Sequence, residues 1–324
     1  MRILLVVNAA ASSVTPRVRV LIRQQLASRH EVRVAETSRQ GHATRLAMGA
    51  AADGVDVVAV LGGDGTINEA ANGLATTDTA LAALPGGSTN VFARSVGMVN
   101  DPVKGAKQLL AALDEGSIRP VNLGKAGGRY FLCHVGLGLD AVIVENADSH
   151  PGLKRRLGGA SFVPAGFTAW ARDYYWRHPA GDLTAHPEAG DPVMVKDAYF
   201  AVCMNSDPYT YLGPRPLSLV PGTGLDTGLS LVVLDSLRLA VLLGVLGGAI
   251  FSSHGLEGRK HVQVLTGLDE VEVDAGPLVQ YQMDGEHMGL ANKLVLRSAV
   301  GAMRLVIPVG PPEGAGAGGA IGSG

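Results

Sequence analysis

Val55-Asp56-Val57-Val58-Ala59-Val60-Leu61-Gly62-Gly63-Asp64-Gly65-Thr66-Ile67-Asn68-Glu69-Ala70-Ala71-Asn72-Gly73-Leu74 is the stretch that decides the fold class. Six of its first seven residues are apolar and four of them are valine, and they predict a buried strand. Beyond the glycines, Ile67, Ala70, Ala71 and Leu74 recur with helical spacing. A glycine-rich turn between strand and helix aims backbone N–H groups, and the positive end of the helix, at one point. That arrangement favours an anion such as phosphate. Glycine reaches positive φ and lets a ligand approach the backbone without meeting a Cβ. Asp64 is the odd member, because a bare carboxylate repels phosphate. A divalent cation between the two, or a hydroxyl held by the carboxylate, would reconcile it. A tight turn without a ligand is the plainer reading of adjacent glycines, and the GGDGT context favours phosphate over it.

Two further loops repeat the idea. Thr79 to Leu84 is a short apolar strand, followed by Pro85-Gly86-Gly87-Ser88-Thr89-Asn90 and a helix from Val91. Ser88 and Thr89 either cap that helix or contact phosphate, and both readings stand. Asn8-Ala9-Ala10-Ala11-Ser12-Ser13 follows the strand Ile3 to Val7. Loops at the carboxyl ends of parallel strands cluster on one edge, where open α/β sheets bind ligands. Neither G-x-G-x-x-G nor G-x-x-x-x-G-K-[ST] occurs in these loops, which disfavours a dinucleotide fingerprint and a Walker-type NTPase.

Strand and helix patterns alternate to about Val121 (helix 21–26, strand 32–35, helix 43–52), and predict a parallel sheet with helices on both faces. Beyond Asn122, short strands dominate at 129–135, 193–205, 228–234, 261–265, 269–274 and 293–297, predicting an antiparallel sandwich or barrel. The segment 153–176 mixes aromatic and basic residues and reads either as a core helix with a solvated basic face or as a lipid-facing helix. The tail 310–324 is glycine-rich, has little to bury and is expected to be disordered.

Composition fits a compact α/β chain: 324 residues, 44 of them Gly, 47% hydrophobic and 17% charged. A formal charge of −2 makes no case for nucleic acid as a partner. Cys133 and Cys203 lie in apolar runs and are expected as buried free thiols, in keeping with a reducing compartment. The apolar run at the start is too short for a signal peptide. The longest apolar stretch, 239–251, is shorter than the roughly 20 residues a span needs and reads as a packed helix or a membrane-touching one.

Taken in order, GGDGTINEAANGL, then LPGGSTNVFAR, and finally Met283-Asp284-Gly285-Glu286 resemble the diacylglycerol kinase catalytic-domain family, which includes soluble bacterial lipid kinases and is related to the sphingosine and ceramide kinases. The resemblance runs from about residue 2 to residue 308. It implies an α/β nucleotide-binding domain over 1–122 and a β-rich lipid-binding domain over 123–309 that carries Asp284-Gly285-Glu286. It implies ATP and Mg²⁺, and a lipid substrate met at the membrane surface by a cytoplasmic, peripherally associated enzyme. Glu286 takes the family's general-base position, with Asp284 in support and Asp64 at the phosphates. Asp-Gly is also a common hairpin turn. Matched nucleotide-binding positions are Asn8, Ser12, Thr37, Gly62, Gly63, Asp64, Gly65, Thr66, Asn68, Ser88 and Asn90. Asp140 stands where sphingosine kinases place a head-group aspartate, or is simply an N-cap.

Departures matter as well. Val91 replaces an acidic residue, Asn122 replaces the aspartate of Val-Asp-Ile-Gly, and Thr227 stands where an Asp would hold a structural magnesium. Asp226, one position earlier, is the remaining candidate ligand. The depleted acidic set leaves a lipid-binding pseudokinase as an alternative to a lipid kinase. An NAD kinase is a further alternative, opposed by the downstream motifs.

Overall fold

The computed structural model describes residues 1–148 and 181–309. The aromatic and basic segment 153–176 and the glycine-rich tail 310–324 lie outside the described residues.

Four strands, β1 (Arg2–Val7), β2 (Glu31–Glu36), β3 (Val57–Gly62) and β4 (Ala80–Pro85), lie in the spatial order β4-β3-β1-β2 and pair in parallel. They are joined by α1 (Pro16–Ala27), α2 (His42–Ala52) and α3 (Asp64–Leu74). Every residue of β3 and β4 is buried, which is why both read as unbroken apolar runs. The helix starts are written locally. Thr15 accepts from the Val18 N–H ahead of α1, and Pro16 sits where its missing N–H has no helical partner to lose. Asp101 does the same for α5 (Pro102–Asp114), after the single-turn α4 (Val91–Ser95).

Antiparallel pairing takes over from β5 (Ile118–Ala126) and β6 (Arg129–Phe131). The strands β7 (His134–Gly138), β8 (Gly181–Pro187), β9 (Val193–Ala198), β10 (Phe200–Met204) and β13 (Leu229–Leu234) follow, with the separate hairpin β11 (Thr210–Leu212) and β12 (Arg215–Leu217). Helix α6 (Leu139–Asp148) follows β7, and α7 (Leu239–Phe251) precedes the long strands β14 (Val262–Met283) and β15 (Glu286–Val306).

The expected antiparallel region is present and closes on itself, since β7 and β13 each pair with both β10 and β14, but it is not detached from the parallel strands. The antiparallel strands continue the parallel ones in a single 13-stranded sheet, along the path β13-β10-β7-β14-β15-β4-β3-β1-β2. The joint is β15, which pairs antiparallel with β14 and β5, while Arg304 and Leu305 run parallel beside Ala80 and Leu81. The expected boundary at 122 falls inside β5. Leu123, Leu132, Met303 and Leu305, from beyond it, pack into the first core with Val58 and Leu81. A second core, around Val135, Leu231, Val271 and Leu296, belongs to the antiparallel region. The two strands expected at 261–265 and 269–274 are one, because Gly267, at φ 65°, is taken up in an irregularity instead of ending the strand. Cys133 and Cys203 are free and buried.

Candidate active site

The loops after β3 and β4 lie back to back. Gly86 N–H donates to the Gly62 carbonyl at 2.8 Å, and a Cβ on Gly86 would sit 2.8 Å from Gly62 N. A Cβ on Gly87 would sit 2.8 Å from Gly63 Cα. Contact between the loops therefore demands these glycines, whatever else they serve. Gly65 differs: nothing lies within 4 Å of its Cβ position, and it borders a polar cleft of about 770 Å³.

Asp64 opens α3, yet its carboxylate faces the neighbouring loop. It accepts from the backbone N–H groups of Val91 (3.0 Å) and Phe92 (2.9 Å), so it caps α4 from another element. The cap reading of Ser88 and Thr89 is thereby corrected. The N-cap position of α4 is Asn90, left-handed and without a side-chain cap bond. Asn90 closes its own loop instead, accepting from Gly87 N–H at 2.7 Å and donating to Asn100 Oδ1 at 2.8 Å. Burial raises the Asp64 pKa, and the two N–H groups oppose that rise.

Of the anticipated residues, Gly63, Asp64, Gly65, Asn68, Ser88, Asp284 and Glu286 line the cleft. Asn8, Ser12, Thr37, Gly62, Thr66 and Asn90 do not. Asn8 ties its loop to α3 through a 2.9 Å bond to Thr66 Oγ1. Ser12 is exposed, and Thr37 follows β2 with its N–H on the Val7 carbonyl at 2.9 Å.

Asp284 and Gly285 form the two-residue turn of the β14–β15 hairpin, between the paired residues Met283 and Glu286. Both have positive φ, 48° and 78°, the geometry that Asp-Gly favours. The turn also carries the site. Asp284 points inward and accepts from the N–H groups of Leu132 (2.7 Å), Cys133 (2.8 Å) and His134 (3.0 Å), and from Asn68 Nδ2 (2.8 Å). Burial raises its pKa against these four donors. So anchored, the turn presents Glu286 to the cleft. Glu286 Oε1 accepts from Gln40 Nε2 at 2.7 Å, and Oε2 from Arg129 Nη2 at 2.6 Å. Asn68, buried between these groups, also donates to the Tyr130 carbonyl at 3.0 Å and accepts from Arg129 at 3.0 Å. Sequence reasoning missed Gln40, Arg129 and Tyr209. A basic side chain directly after the Gly127-Gly128 turn was the one signal for Arg129.

Asp140, the second residue of α6, is 1% exposed. Its Oδ1 accepts from the Tyr209 hydroxyl at 2.5 Å and its Oδ2 from Gln282 Nε2 at 2.7 Å, so its partners are side chains and not the helix N–H groups. Burial pushes its pKa up to about 6, with both hydrogen bonds opposing. Asp140 borders an apolar pocket of about 260 Å³ walled by Leu139, Ile143, Phe200, Leu217, Leu242 and Leu246. Tyr209 and Thr210 line this pocket and the polar cleft alike. The His134 ring lies 4.5 Å from the Tyr209 ring, and burial lowers its pKa to about 4, which leaves it neutral.

At the positions where acidic residues are missing, hydrogen bonds stand in. Asn122 Nδ2 donates to the Thr227 carbonyl at 3.1 Å, and its Oδ1 accepts from Gly301 N–H at 2.9 Å. Asp226 is exposed in the same loop. Among the described residues, the one grouping of three potential metal ligands is His186, Glu270 and Glu272, which does not include Asp226. Glu270 there is paired with Arg297.

A glycine-rich strand-to-helix corner thus faces an acidic hairpin turn across one cleft. Residues 2–126 match the family model of the diacylglycerol kinase catalytic domain. It is 28% identical over 316 residues to a "Probable lipid kinase YegS-like" of Pseudomonas aeruginosa, covering 96% of each chain. It is 27% identical over 270 residues to a diacylglycerol kinase of Bacillus subtilis, covering 81% of each. The crystal structure of a diacylglycerol kinase from Bacillus anthracis shares the fold, with a TM-score of 0.68 at 21% identity over 94% of this chain and 96% of that one.

Proposed function

We propose that this chain is an ATP-dependent lipid kinase that moves the γ-phosphoryl group to the hydroxyl of diacylglycerol or a related lipid. The observation that carries the reading is the common wall, Tyr209 and Thr210, between the polar cleft and the apolar pocket. A lipid acceptor has matching chemistry: a hydroxyl for the polar side and hydrocarbon to bury.

The triphosphate is assigned to the amino end of α3. Gly63 caps that helix without a side-chain bond, and Gly65 has open space beside it, so N–H groups of the first turn are available to an anion. Ser88 lies at the rim, with Asn8, Ser12 and Thr37 as the outer flank, while Gly62, Thr66, Asn68 and Asn90 hold the loops in shape. Mg²⁺ supplies charge neutralisation in such reactions. The cleft carboxylates do not form a ready cation site: Asp64 is matched to α4, Asp284 to backbone and Asn68, and Glu286 to Arg129 and Gln40. In this reading the cation arrives with the triphosphate.

In the transfer, the lipid hydroxyl oxygen attacks the γ-phosphorus, the bond to the bridging oxygen breaks and ADP leaves. The hydroxyl proton passes to Glu286, which exchanges Gln40 for the acceptor while Arg129 holds its other oxygen. Asp284 contributes by fixing the turn. A general base is worth ~10²–10⁴-fold, and positioning supplies most of the rest. On α7, Leu239, Leu243 and Phe251 are exposed, the first two at the apolar pocket, and offer a surface for peripheral contact with the cytoplasmic face of a membrane. Among the described residues no helix is long and apolar enough to cross a membrane.

The engaged carboxylates favour a second reading, a lipid-binding pseudokinase. Incubation of a lipid panel with γ-labelled ATP and Mg²⁺ separates the two. Label in a diacylglycerol-type lipid supports the kinase; ATP and lipid binding without label in any lipid supports the pseudokinase. In a parallel incubation with NAD as the acceptor, formation of labelled NADP would overturn both.

A further inference from the structure

An unbroken line of hydrogen bonds through the buried side chains of Asp140 and Gln282 joins the wall of the apolar pocket to the turn that carries Glu286. The Tyr209 hydroxyl donates to Asp140 Oδ1 at 2.5 Å, Gln282 Nε2 donates to Asp140 Oδ2 at 2.7 Å, and Gln282 Oε1 accepts from Gly285 N–H at 2.8 Å. Asp140 is 1% exposed and Gln282 0%. The chain makes room for the carboxylate at Gly136, where a Cβ would strike Asp140.

The direction of each bond is forced. A backbone N–H only donates, so Gly285 obliges Gln282 to turn its oxygen toward the turn and its NH₂ group inward. That buried NH₂ requires an acceptor, since an unmatched donor costs about 1–3 kcal/mol. Asp140 supplies it, and its second oxygen takes the Tyr209 hydroxyl. An amide turned the other way would set N–H against N–H at the turn.

We propose that Asp140 is a positioning residue for phosphoryl transfer: it sets the orientation of Gln282, which holds Gly285 and thereby aims Glu286, and Tyr209 meets the same carboxylate from the pocket wall. In its kinetic consequences this deepens the lipid-kinase reading and rests on it; the hydrogen-bond relay itself does not. Both Asp140 oxygens already have protein partners, so the residue acts through the turn and not as a head-group ligand.

The test is a swap. Asp140→Asn offers one acceptor where two donors call for one each, and Gln282→Glu places two carboxylates face to face. In the double variant the asparagine amide donates to the new glutamate, whose other oxygen accepts from Gly285, while the asparagine oxygen accepts from Tyr209. All three bonds return, with the charge moved by one side chain. Each single variant should lower kcat roughly 10-fold, with KM for diacylglycerol in mixed micelles within about 2-fold of the parent, and the double should recover to within about 3-fold. In parallel, the Gly285 amide resonance of ¹⁵N-labelled protein should move in both singles and return in the double.

A raised lipid KM at unchanged kcat in Asp140→Asn would make Asp140 an acceptor ligand and overturn the relay. So would a double variant no better than the worse single, or a Gly285 resonance that stays put in the singles. If no lipid is turned over by the parent but the resonance moves and returns as stated, the relay holds and the kinase reading fails. Should the singles not fold, Tyr209→Phe keeps the ring against His134 and removes one donor. It should move the Gly285 resonance, and no movement there overturns the proposal.

Discussion

Arg129 Nη2 lies 2.6 Å from Glu286 Oε2 across 157 residues of sequence, and the same nitrogen donates to Asn68 Oδ1 at 3.0 Å. One planar guanidinium thus ties the amino end of β6, helix α3 and the acidic turn together. A lysine cannot reproduce that fork. Arg129→Lys should lower kcat on the order of 10-fold while KM for ATP moves less than about 2-fold, because positioning of Glu286 is lost and the triphosphate corner is not. Steady-state kinetics with ATP varied decides it; unchanged kcat would show that the ion pair is dispensable.

Glu286→Gln retains size and the acceptor for Arg129 but removes basicity. In the lipid-kinase reading kcat should fall on the order of 10²-fold or more. Calorimetric ATP affinity should stay within error. A change confined to affinity would make Glu286 a binding residue.

The loop glycines divide into two kinds, and alanine separates them. Gly86→Ala drives a methyl into the Gly62 backbone, 2.8 Å away, and should destabilise the protein by about 1–3 kcal/mol. Gly65→Ala meets nothing within 4 Å and should leave stability within about 0.5 kcal/mol while weakening ATP binding. Denaturant unfolding and nucleotide titration of both variants check this. Unimpaired ATP binding in Gly65→Ala would move the triphosphate away from α3.

Asp140 and His134 titrate over one pH window with opposite signs. The folded pKa of Asp140 is raised to about 6, so its contribution to stability is present near pH 4 and is lost as pH rises through 6. That of His134 is lowered to about 4, so its contribution is present above the unfolded value and is lost as pH falls toward 4. Asp140→Asn leaves the His134 slope uncompensated. Relative to the parent, the variant should gain on the order of 2 kcal/mol between about pH 4 and pH 6. Urea unfolding across that range measures it, and a pH-independent difference would show that Asp140 titrates normally when folded.

The corner of Asn122 and Thr227 is closed by hydrogen bonds, and Asp226 is exposed beside it. Mg²⁺ keeps its waters unless several oxygens are well placed. Nucleotide-free protein should therefore show no tight Mg²⁺ site in calorimetry. Tight binding that disappears in Asp226→Ala would show that Asp226 has replaced the missing ligand.

Much of the architecture was legible because it is local. The β-branched run before Gly62 and the Asp284-Gly285 turn each follow from neighbouring residues and their backbone preferences. The order of the three motifs was enough to state the family resemblance. Illegible were the joining of both regions in one sheet through β15, the cap that Asp64 lends to α4, and the placing of Arg129, Gln40 and Tyr209 around the site. The sequence by itself determined which residue types could turn, cap, bury or carry charge. Tertiary structure alone decided which of them meet, because a hydrogen bond or a backbone contact between distant residues depends on the register and twist of the strands that carry them. No spacing rule along the chain encodes that register.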